Sequence, residues 1–126
     1  MIELSNELSR EIIGAAIEVH RETGPGLLES AYESCLCREL TLRGLSFERQ
    51  KEVSLEYKGI QVSSGYRLDI LVNGLVIVEI KSVERLEPVH SLQLSTYLKL
   101  SDLWLGLLIN FNDTTIKSGL KRVVQG

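Results

Sequence analysis

An α/β fold, with helices packed on a β-sheet in a single domain, follows from three features of this 126-residue sequence. Apolar residues recur at helical spacing in the first third of the chain and again after Pro88. From Phe47 the period changes to two. Residues 75–78 and 103–110 then form runs that are apolar almost throughout, as strands covered on both sides are. Helical stripes need a surface to cover and such strands need covering, so the two kinds of segment predict one layered domain. The length suffices for one hydrophobic core and is short for two.

The first helix is expected from residue 5 to about residue 22, where Leu8, Ile12, Ala15, Ala16 and Val19 form one stripe. Gly24-Pro25-Gly26 ends it and begins a second, carried by Leu28, Ala31, Tyr32, Cys35, Leu36 and Leu40 up to a glycine stop at Arg43-Gly44. Val53, Leu55 and Tyr57 alternate with polar residues up to a turn at Lys58-Gly59. Strands at 66–72 and 75–83 flank Asn73-Gly74, a strong hairpin signal. A third helix runs from Pro88 to about Leu100 through Leu92, Leu94, Tyr97 and Leu98. A strand over 103–110 and an edge strand over 120–124 complete the order. No repeat or low-complexity tract interrupts it.

Composition excludes several classes. The apolar fraction of 44% and charged fraction of 25% are those of a globular protein. The longest uncharged apolar stretch, 71–78, is too short to span a bilayer, and the first residues lack the basic-then-apolar layout of a secretory signal, so a cytoplasmic location without membrane attachment is expected. Cys35 and Cys37 are one residue apart and fall on different faces of a helix, so they cannot clasp one ion; thiols in a reducing compartment are the better account. The net charge of −3 opposes tight binding of a polyanion. Basic residues at Arg38 and Arg43, at Arg49 and Lys51, and at Lys117, Lys121 and Arg122 offset it only locally, which suggests a transient grip or a partner protein that supplies basic surface.

The chemistry concentrates between Asp69 and Lys81. Glu79 and Lys81 are two apart on a strand and share a face. Asp69 joins them only if the hairpin has the right parity. A two-residue turn at Asn73-Gly74 would set Asp69 opposite Val78 and turn Glu79 to the other face. A three-residue connection, Val72-Asn73-Gly74 with Gly74 left-handed, places Asp69 on the face of Ile77, Glu79 and Lys81. Two carboxylates and an ammonium then converge. That set suits Mg²⁺ with an activated water, the lysine orienting or deprotonating that water or stabilising a phosphoryl transition state, and so a metal-dependent phosphodiesterase. A salt bridge between Glu79 and Lys81 is the plain alternative.

Three further positions have two readings each. Gln93 and Tyr97 are four apart on one helical face and could bond a phosphate or steady the lysine, or be a surface and a core residue respectively. Glu29 in a first helical turn could serve a site or the helix dipole. His20, taken alone, reads as a surface or capping histidine.

Taken in order, Glu18-Val19-His20, Gly24-Pro25-Gly26, Glu29, Tyr32, Arg67-Leu68-Asp69, Glu79-Ile80-Lys81 and the Gln93…Tyr97 pair resemble the GxxExxY protein family of the PD-(D/E)XK nuclease superfamily. The resemblance extends over residues 7–124. It implies a restriction-endonuclease-like core, a mixed β-sheet flanked by α-helices, with Asp69 and Glu79 as metal-binding carboxylates and Lys81 as catalytic lysine. Gln93 and Tyr97 match the QxxxY motif of the RecB-like branch, Glu29 its first-helix acidic position, and His20 a histidine that some members present to the metal. Leu68 stands where the superfamily's name has proline. The implied function is a Mg²⁺- or Mn²⁺-dependent nuclease acting on nucleic acid, DNA foremost. A homodimer, or a partner protein that supplies basic surface, is the assembly that would suit it. The alternative is a weakly active or inactive nucleic-acid-binding or protein-interaction module with the same fold.

Overall fold

The computed structural model describes residues 2–126. Helices α1 (Ile2–Thr23) and α2 (Glu29–Leu42) precede strands β1 (Phe47–Tyr57), β2 (Ile60–Val72) and β3 (Val76–Lys81); α3 (Pro88–Ser101) leads into β4 (Leu105–Asn110), and a short α4 (Ile116–Gly119) into β5 (Leu120–Val124). The five strands form one sheet in the order β1-β2-β3-β4-β5. It is mixed: β3 and β4 are parallel, joined across α3, and the other neighbours are antiparallel.

Side-chain alternation sorts the core into two layers. Val76, Val78 and Ile80, with Ile70, Val72, Leu105, Leu107 and Ile109, face the α1–α2 pair, where Ile12, Ala15, Ala16, Tyr32, Leu36 and Leu40 are fully buried. Ile77 and Leu108 face α3, packing on Leu94, Tyr97 and Leu98. The restriction-endonuclease-like α/β architecture expected from the sequence is therefore the one observed.

Close approach of α3 to β4 depends on Gly106. A Cβ there would lie 2.7 Å from Leu94 Cδ1. Gly106→Ala is accordingly expected to lower stability by about 1–3 kcal/mol through overpacking, measurable as a reduced urea midpoint with an unchanged slope.

The hairpin connection is odd in length, with a shift of one residue. Val72 pairs with Val76, so the loop is Asn73, Gly74 and Leu75, not Val72 to Gly74. Asn73 and Gly74 are both left-handed, at φ 50° and 65°. The Asn73 side chain explains the shift: its Oδ1 accepts from Ser46 N (2.9 Å) and Ser46 Oγ (2.8 Å), and its own N–H donates to the Ser46 carbonyl. Those bonds keep Val72 in register with Phe47 and push the turn one residue later.

Candidate active site

The backbone ladder between β2 and β3 stops early. Only three pairs form, the last being Ile70 with Val78. The next pair outward would be Asp69 with Glu79, and there the two side chains take over the hydrogen bonding. Glu79 Oε1 accepts from Asp69 N (3.1 Å), and Asp69 Oδ2 accepts from Ile80 N (2.8 Å). Each carboxylate thus satisfies a strand N–H that lost its carbonyl partner as the strands diverge. The fork sets two acids at one point.

Both acids sit badly as a pair of free anions. Glu79 is 7% exposed, and its carboxyl is pushed up to about 8, first by burial and then by the charge of Asp69. Burial also raises Asp69, with Glu33 adding to the shift, while the Ile80 N–H, Lys81 and Gln50 oppose it. Lys81 favours ionisation of both acids, which places its ammonium within electrostatic reach. Among the described residues it makes no ion pair.

A cavity of about 430 Å³ opens beside Asp69, walled by Glu29, Ser30, Glu33, Gln50 and Ile80. Glu29 is exposed at its rim and accepts from Ser82 N (3.2 Å). On the α3 side, Tyr97 is buried, and its hydroxyl is raised by burial first and then by Glu79. Gln93 stands one helical turn before it, half-buried. His20 lies apart from this group. Its Nε2 contacts the Asp113 carbonyl at 2.9 Å, and it lines another cavity with Ile17, Thr114 and Ile116.

Residues 6–123 match the profile of the PD-(D/E)XK nuclease superfamily. The chain belongs to that superfamily. No curated protein and no solved structure matches it. The matched span includes Leu68-Asp69 on β2 and Glu79-Ile80-Lys81 on β3. Nuclease chemistry in the general sense is what such membership supports.

The donor set fits a hard divalent cation better than a closed metal cage. Among the described residues, no group of three or more His, Cys, Asp or Glu side chains converges as a ready-made site. Asp69 and Glu79 nevertheless offer adjacent oxygens. Asp69 Oδ1 has only a long 3.5 Å contact to Gln50, and the second oxygen of Glu79 accepts no hydrogen bond among the described residues. Mg²⁺ keeps most of its waters and needs only one or two carboxylates, and a positive ion would relieve the repulsion that raises both acids.

Three positions escape a reading of the sequence. Glu33 is one turn after Glu29, buried at 7% exposure, and bonded to Arg49 Nε (3.0 Å) and Gln50 Nε2 (2.7 Å). The i, i+4 spacing from Glu29 is the available signal. Gln50 gives no signal; it takes a left-handed φ of 53° in the middle of β1, which turns its amide toward Glu33 and Asp69. Asn110, fully buried at the end of β4, accepts from Val83 N (3.1 Å) and donates to Val83 O (2.9 Å), fixing the chain that leaves Lys81.

Proposed function

We propose that this PD-(D/E)XK chain, of the GxxExxY type and RecB-like in its Gln93…Tyr97 pair, is a nuclease that hydrolyses phosphodiester bonds of DNA with Mg²⁺ or Mn²⁺. The observation that carries the proposal is the fork at Asp69 and Glu79, a half-buried and a buried acid side by side with an amine in electrostatic reach. Two desolvated acids that repel each other, one of them buried, weaken a structural reading, because an ion pair alone would leave one of them uncompensated. Membership of a superfamily of nucleases supports the same choice.

Asp69 and Glu79 are the ion's ligands in this proposal, with Glu29 a third carboxylate on the cavity that Asp69 lines. His20 is not placed among these ligands: it lines a separate cavity with Ile17, Thr114 and Ile116, with its Nε2 at the Asp113 carbonyl. When bound, the divalent ion supplies a Lewis acid for the phosphoryl oxygens and lowers the pKa of the attacking water. Lys81 contributes fixed positive charge where the phosphoryl group gathers negative charge. Tyr97, on the α3 side of the pair, orients the substrate phosphate, with Gln93 one helical turn before it. Glu33, with Arg49 and Gln50, holds the wall behind Asp69.

The test is cleavage of single- and double-stranded DNA and RNA with Mn²⁺ or Mg²⁺, against the same reactions in chelator. Ion-dependent loss of DNA is expected. No cleavage of any of the four substrates in either metal would reject the proposal.

A further inference from the structure

A third cavity, of about 390 Å³, lies between α3 and the ribbon of β1 and β2 and is lined by Leu55, Tyr66, Leu92, Gln93, Thr96 and Tyr97 among others. Among the described residues, no charged side chain lines it. Tyr66 is 52% exposed and Leu92 66% exposed at its mouth, and the rings of Tyr66 and Tyr97 lie 5.8 Å apart at 46°. The amide of Gln93 makes no side-chain hydrogen bond among the described residues, whereas the hydroxyls of Ser64 and Thr96 are bound to the Val53 and Leu92 carbonyls. The groove therefore combines an aromatic surface with one free donor–acceptor amide.

We propose that this groove seats an unstacked nucleobase next to the reacting phosphate, its face against Tyr66 and its polar edge toward Gln93, so that the site takes single-stranded nucleic acid or frayed ends. The inference rests on the nuclease reading and specifies its substrate class. Three observations support it. Tyr97 is a wall shared by the groove and the candidate site, since its hydroxyl responds to Glu79 and Asp69. A duplex offers only base edges to a protein, so an aromatic wall that receives a ring face requires a base already out of its stack. Finally, a chain of net charge −3 lacks the basic excess that grips phosphates alone, and stacking supplies affinity that needs no positive charge.

The experiment is fluorescence anisotropy of labelled oligonucleotides with the full chain in Ca²⁺, comparing wild type, Tyr66→Ala and Tyr66→Phe. Each binds an intact single strand, a series of the same strand with one abasic nucleotide moved along it, and a blunt duplex. Loss of one base–aromatic stack weakens binding by about tenfold or more. Tyr66→Ala is expected to show that loss on the single strand, and Tyr66→Phe to retain wild-type binding. One abasic position is expected to weaken wild type to the same extent and to leave Tyr66→Ala unaffected. Equal binding of wild type and Tyr66→Ala, abasic losses that persist in Tyr66→Ala, or tighter binding of the duplex would each overturn the proposal. So would a dimer in sedimentation that Tyr66→Ala dissolves, because a second copy would then fill the groove. Cleavage measured in parallel with Mn²⁺ separates the two readings. Cleavage without base dependence rejects the groove alone, whereas base-dependent binding without cleavage rejects the nuclease.

Discussion

Asp69→Asn should lower Mn²⁺-supported cleavage by at least about a thousandfold, and Lys81→Ala by about a hundredfold or more, with folding preserved in both. The magnitudes follow from removing one preorganised charge from a site that stabilises an anionic transition state. Folding survives Asp69→Asn because the amide oxygen can still accept the Ile80 N–H that Asp69 Oδ2 takes at 2.8 Å. It survives Lys81→Ala because Lys81 makes no ion pair among the described residues and is only half-buried. Single-turnover cleavage alongside circular dichroism checks both halves of the expectation. Activity within tenfold of wild type in both variants would place the chemistry elsewhere.

The second large effect concerns the stability of the metal-free protein. Folding raises the Glu79 carboxyl from 4.5 to about 8, so between those values the folded chain holds a proton that the unfolded chain has released. The unfolded state then binds fewer protons, and stability falls as pH rises through that window. Asp69 is raised as well and acts in the same direction. Lys81 faces the pair and reduces the effect, while Glu33 adds to it. Each tenfold change in a proton equilibrium is worth about 1.4 kcal/mol, so the loss between pH 5 and pH 8 amounts to a few kcal/mol. Glu79→Gln removes the larger share while keeping an oxygen for the Asp69 N–H. In chelator at pH 8 the variant is expected to be more stable than wild type, and at pH 5 the two should converge. Urea unfolding at both pH values measures this. Parallel pH profiles would show that Glu79 carries no buried charge.

Much of the fold is legible in the sequence because its local signals agree with its layers. The alternation of Val76, Val78 and Ile80 against Ile77 and Leu108 reflects helices on both faces, and an apolar run without polar interruption records that double cover. Element ends are less legible, and the reasons are physical. Leu103 and Trp104 read as strand, but Leu103 N bonds the Leu98 carbonyl in the cap of α3, where Asp102 is left-handed at φ 54°. The start of β2 at Ile60 is hidden in Ser63-Ser64-Gly65, which lacks apolar alternation although Ser63 pairs with Ser54 beside a bulge. The four-residue α4 is too short for a periodic signal, and only its Thr115 cap, accepting from Ser118 N, marks it.

The site is legible in part for a different reason. Spacing alone places Glu79 and Lys81 on one face, and turn chemistry at Asn73-Gly74 restricts where Asp69 can point. What spacing cannot supply is the fork itself. It depends on β2 leaving β3 after Ile70 and on Gln50 taking a left-handed conformation in the neighbouring strand, both of which are long-range outcomes. For the same reason Asn110 leaves no trace in the sequence and Glu33 only its spacing from Glu29: their partners lie 27 and 16 residues away along the chain.

The most direct measurement is calorimetric titration of Mn²⁺ into wild type and into the double variant Asp69→Asn with Glu79→Gln, both at neutral pH. One saturable ion per chain in wild type and none in the variant is the predicted result. Equal binding by the two proteins, or no binding by either, would mean that the forked strands hold their two acids for some purpose other than a cation.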